Sequence, residues 1–163
     1  MRFGGIVLVV LLTLGACSSD PEPKEPRRTT TSTAPTATPP TMPAQAKEDT
    51  PSGAATFVSH YIDLLNFAAN TGQAQSMLEK SEGCRPCDSY AAEFTREPPD
   101  GQRFAGKFWK LTDASVSRTR NPIEVETKVS VREGRATRPY TFVFVLTKAA
   151  PFSVTDIYIP ESQ

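Results

Sequence analysis

Three cysteines and one histidine carry most of the chemistry this sequence offers, and each has different neighbours. Cys17 closes a leader. Met1-Arg2 gives a positive tip, Ile6 to Leu12 is an unbroken apolar run, and Leu14-Gly15-Ala16 sets small residues directly before the thiol. That order is the order of a secretory signal with its cleavage site, and the run is well short of the roughly 20 residues that cross a bilayer. A thiol just after such a site is placed to take a diacylglycerol thioether before cleavage, as in a bacterial lipoprotein signal. Two chains on one residue hold a protein on a membrane stably where one chain holds it marginally. An ordinary cleaved signal with an incidental cysteine, or an uncleaved anchor, are the alternatives.

Cys84-Arg85-Pro86-Cys87 is the second constellation. In an exported chain, two cysteines three apart are expected to form a disulfide. A loop this short removes little chain entropy, roughly 2 kcal/mol, so its task would be to fix the corner between two helices. A thioredoxin-like redox pair shares the spacing, but that motif follows a strand, whereas Ser81-Glu82-Gly83 and a short helix precede this one. Zinc would need two more ligands, and the chain adds only His60 and Cys17. Neither a metal nor a cofactor is expected.

His60 falls about 100° around the helical wheel from the middle of an apolar stripe. It is either a general base lining an interior, with Asp63 as its orienter, or part of a wetted face. Tyr61 and Trp109 are the other candidates to line a cavity, the alternative being that they fill a core. No Ser/His/Asp, paired-carboxylate or Gly-rich phosphate pattern emerges, so no catalytic residue is assigned.

Around these residues the chain divides into a signal peptide (1–16), a lipidated cysteine with a Thr/Pro-rich linker (17–50) and one globular domain (51–163). The linker holds seven prolines between Pro21 and Pro43, many threonines and no aromatic residue. Such a segment cannot bury enough apolar surface to offset the entropy of ordering it. Its extended reach is on the order of 100 Å, which suits a spacer through a cell-wall layer, and its composition also suits O-glycosylation. The domain contains thirteen Lys plus Arg and thirteen Asp plus Glu, without a basic stripe, which argues against nucleic acid as a partner.

Periodicity predicts the elements that position the candidates. Ala54, Phe57, Tyr61, Leu64, Leu65 and Ala68 recur at helical steps after Thr50-Pro51, with Ser59, Asp63 and Asn66 on the other side. Asn70-Thr71-Gly72 ends that helix. Shorter helices are predicted over 74–80 and 86–96, and Pro98-Pro99-Asp100-Gly101 is a turn. Strands are predicted over 104–118, 123–132, 140–146 and 152–159. The second alternates between apolar and polar residues, and the third is apolar on both sides, as for a central strand covered twice. Three helices before four antiparallel strands imply an α+β fold, with the helices packed on one face of a curved sheet.

This order, with its Pro-Pro-Asp-Gly turn, resembles the cone of the nuclear transport factor 2 and ketosteroid isomerase superfamily. More narrowly, Ala55 to Phe67, Thr71-Gly72 and Cys84-Arg85-Pro86-Cys87 resemble an actinobacterial lipoprotein family of unknown function. The resemblance covers roughly residues 51–160 and implies fold and location only. The expectation is a protein anchored by lipid at the extracytoplasmic face of the cell membrane. It would act as a non-catalytic binding or interaction module toward an envelope protein or small ligand. The alternative is a small-molecule or enzymatic pocket inside the cone, and an interior filled by Phe57, Tyr61, Trp109, Phe142 and Phe144 would count against it.

Overall fold

A computed structural model of the chain describes residues 37–161, apart from 104 and 120. The predicted signal segment, Cys17 and the predicted linker through residue 36 lie outside the described residues. Helix α1 runs Pro51–Thr71. Thr50 caps it from an extended conformation, its hydroxyl accepting the Gly53 N–H at 3.0 Å, and Pro51 takes the first turn, where its missing N–H costs nothing. Gly72 ends it in the left-handed region (φ 75°), donating its N–H to Ala68 O at 2.7 Å. The buried face is broader than the predicted stripe, because Val58 and Ile62 are also enclosed.

The predicted second helix shrinks to one turn, α2 (Gln75–Leu78), which buries Met77. Helix α3 runs Arg85–Thr95 and turns Cys87, Ala91 and Phe94 inward.

Four antiparallel strands follow in the order β1-β2-β3-β4: Trp109–Arg118, Ile123–Glu133, Ala136–Leu146 and Val154–Tyr158. The fold is α+β, as its element order implies. Strand β1 starts at Trp109, five residues later than predicted. Ahead of it the chain turns at Gly106 (φ 91°), whose carbonyl accepts from the Asn70 side chain at 2.9 Å. Strand β3 starts four residues earlier than predicted and includes Pro139. A proline is tolerated there because β3 pairs with β4 only from Val143 onward, leaving that side of Pro139 without a ladder partner.

Phe142, Phe144 and Leu146 face the core. The second covering layer expected for β3 is replaced by cross-strand neighbours: Val143 sits between Glu126 and Tyr158 and is itself buried. At the β4 edge, residues 80–82 lie alongside. Val154 N donates to Lys80 O and Glu82 N to Val154 O, each at 2.9 Å. At the other edge, β1 carries register shifts at 111/113 and 116/118.

Order begins before Pro51, which corrects the predicted end of the linker at residue 50. Ala44–Lys47 forms a 3-10 turn, Ala46 is buried and Met42 packs against the core. We call residues 42–50 the strap. A methyl group on Gly53 would collide with the Glu48 carbonyl oxygen, so a glycine here lets the strap lie directly on α1. Two small apolar contacts in a Pro/Thr-rich stretch were too weak a pattern to mark an ordered segment.

Candidate functional site

Trp109 opens β1 at the centre of the interior. It stacks on Phe142 with ring centroids 4.5 Å apart, and meets Tyr90 and Phe144 edge-on at 5.5 and 6.5 Å. Tyr61 approaches Phe144 edge-on at 6.1 Å, and Phe57 lies 5.8 Å from Phe152. Trp109 is 2 % exposed, and Tyr61 and Phe144 are fully enclosed. The structure therefore brings Tyr61 and Trp109 together as core residues around Phe144, and the space between helices and sheet is filled by side chains. Burial pushes the Tyr61 phenol well above its ordinary range, with Ser81 lowering it and Asp88 adding to the rise. Among the described residues its hydroxyl has no hydrogen-bond partner.

His60 is 4 % exposed, so it does not belong to a wetted face. Burial lowers its pKa below the usual 6.5; Asp63 opposes this and Lys80 adds to it. The expected orienter is engaged elsewhere, since the Asp63 carboxylate receives Lys107 Nζ at 3.4 Å. The structure thus provides no His60–Asp63 base-and-orienter bond.

Cys84 and Cys87 form a disulfide with their Cα atoms 5.2 Å apart. Cys84 is the cap of α3, and its sulfur accepts the Cys87 N–H at 3.2 Å. Both are buried, at the corner between α2 and α3 where the spacing placed them. Among the described residues, no group of three or more His, Cys, Asp or Glu side chains could hold a metal ion, and no helix is long and apolar enough to cross a membrane.

Asn66 is the residue that sequence reasoning missed. Predicted to lie on the polar side of α1, it is 6 % exposed. It brackets the Trp109 backbone: Asn66 Nδ2 donates to Trp109 O and Trp109 N donates to Asn66 Oδ1, both at 2.8 Å. This pair holds the first residue of β1 against α1. An asparagine at the edge of an apolar stripe carries no sign of a partner 43 residues away.

Two of the grooves that border α1 have mainly apolar linings. One of about 330 Å³ lies near its C-terminal end, with Arg96, Arg103 and Arg132 set against Glu93, Glu97 and Glu133. The other, about 390 Å³, lies near its N-terminal end beneath the strap. Met42, Ala46, Phe57 and Phe152 form its apolar walls, with Lys47 and Lys80 at hand. His60, Tyr61 and Trp109 line neither groove.

A family model, described as a family of unknown function (DUF6318), matches residues 27–134, about two thirds of the chain. The chain belongs to the DUF6318 family. The DUF6318 match takes in the strap, all three helices, β1 and β2, and so includes Lys47, His60, Lys80, both paired cysteines and Trp109; β3 and β4 lie beyond it. No curated protein and no solved structure matches the chain.

Proposed function

We propose that this DUF6318 chain is an actinobacterial lipoprotein, exported and held at the extracytoplasmic face of the membrane by acyl chains on Cys17. Its domain, cone-like in the manner of the nuclear transport factor 2 superfamily, serves as a non-catalytic binding or interaction module toward an envelope protein or small ligand. The leader that closes at Leu14-Gly15-Ala16-Cys17 supports export and anchoring. A buried Cys84–Cys87 disulfide suits an oxidising compartment. Helices laid on one side of an antiparallel meander support the likeness to the cone.

The observation that carries the choice of a surface module over an internal active site is the filled interior: Trp109, stacked on Phe142, occupies the space a substrate would need. Interaction is then left to the exterior. Fractionation tests the anchor, since Cys17→Ser should move the protein from membranes to the soluble fraction; retention of the variant on membranes would overturn it. Crosslinking in intact cells tests the module: a recurrent adduct on the outside of the domain supports it, whereas a small molecule recovered against Trp109 would return function to the interior.

A further inference from the structure

The groove under the strap differs from its counterpart at the other end of α1 in one decisive respect. The far groove opposes three arginines to three glutamates and so selects no single charge. The residues lining the strap groove include two charged side chains, Lys47 and Lys80, both cationic. Among the described residues neither lysine has an ion-pair partner. Of the acidic side chains near them in sequence, Asp49 accepts the Ala150 N–H at 3.3 Å and Glu79 accepts from Gln75 at 3.1 Å, and neither these nor Glu48 and Glu82 form an ion pair with Lys47 or Lys80. The remaining surface is hydrocarbon and aromatic, and the volume of about 390 Å³ is in the range of small-molecule sites. Apolar walls disfavour a hydrated inorganic anion, and two unpaired ammonium groups disfavour a neutral or cationic lipid.

We propose that this groove binds a single-chain anionic amphiphile of the fatty-acid class, its hydrocarbon against Met42, Ala150 and Pro151 over the rings of Phe57 and Phe152, and its carboxylate held by Lys47 and Lys80. The two cations belong to different parts of the molecule. Lys80 rests on a fixed backbone, with its N–H donated to Met77 O at 3.1 Å and its carbonyl bonded by Val154. Lys47 ends the 3-10 turn of the strap. A carboxylate shared between them therefore fastens the strap to the body, so occupancy and strap order rise together. The inference goes beyond the tethered-module reading and does not depend on the anchor.

The test uses the full chain carrying Cys17→Ser, which has no acyl chain of its own whatever becomes of Cys17 in the native protein. Dodecanoate below its micelle concentration should bind saturably at one equivalent by calorimetry. Decanoate, two methylenes shorter, should bind on the order of tenfold more weakly. Lys47→Gln and Lys80→Gln should each weaken dodecanoate about threefold, as for partly exposed charge pairs. Trypsin cleavage after Lys47 should slow when dodecanoate is bound, while cleavage after Lys24 should keep its rate. Equal binding of dodecylamine, or of dodecanoate to the double lysine variant, would overturn the proposal. So would the absence of saturable binding, or uptake only onto anionic vesicles.

Discussion

Helix α1 makes two contacts of unlike strength. Against the sheet it presents Phe57, Tyr61, Leu64 and Leu65, all nearly inaccessible, and the Asn66 bracket fixes where β1 begins. Against the strap it meets one buried alanine, a half-buried methionine, and the Gln45–Ser52 bond at 2.8 Å. The first contact joins residues far apart in sequence through large side chains; the second joins near neighbours through backbone proximity at Gly53. Local opening follows such differences, since segments with few buried apolar contacts separate at a lower free energy than the global one. The interior is therefore the part that must hold for the domain to exist, and the strap is the part that can move while it does.

Four substitutions probe that division. Trp109→Ala removes the ring at the centre of the interior and should cost about 3–5 kcal/mol in urea unfolding; a loss below about 1 kcal/mol would mean the core is not organised around it. Asn66→Ala leaves the Trp109 backbone N–H and carbonyl without their buried partners and should cost about 2 kcal/mol. Hydrogen exchange at Trp109 should accelerate in that variant, and unchanged protection would break the assignment.

Gly53→Ala should displace the strap while altering global stability by no more than about 1 kcal/mol, since alanine also favours the helix. Faster tryptic cleavage after Lys47 with a nearly constant unfolding midpoint is the expected signature; a large fall in the midpoint would show that strap and interior are one cooperative unit. The smallest effect concerns His60. Its folded pKa lies below the unfolded 6.5, so the unfolded chain takes up a proton first as pH falls. Stability should be retained above that value, decline as pH drops from about 6.5 toward the folded pKa, and level off below it. His60→Gln should remove that part of the pH dependence, and a parallel decline in the variant would assign it to other groups.

Much of this architecture was legible in advance because it rests on local periodicity. The three helices and the alternation from Ile123 to Val131 follow from residue types repeating at 3.6 or 2. The disulfide was legible for the same reason, since both sulfurs sit on one short segment. Other features depend on partners that periodicity does not contain. Asn66 looks polar until Trp109 is placed over it, and Ala46 looks like linker until Gly53 gives it a seat. The groove under the strap draws on residues near 45, 57, 80 and 152, four segments with no common motif. For Tyr61 and Trp109 the sequence leaves cavity lining and core filling open, and the rings of Phe142 and Phe144 arriving from β3 decide for the core.

The two margins of the sheet have a consequence for how copies of this chain meet. At one margin, residues 80–82 already occupy the hydrogen-bonding groups around Val154. At the other, the two irregularities in β1 interrupt the flat, regular ladder that an incoming strand would need as a template. Copies of this chain at high concentration are thereby hindered from zipping edge to edge into fibres.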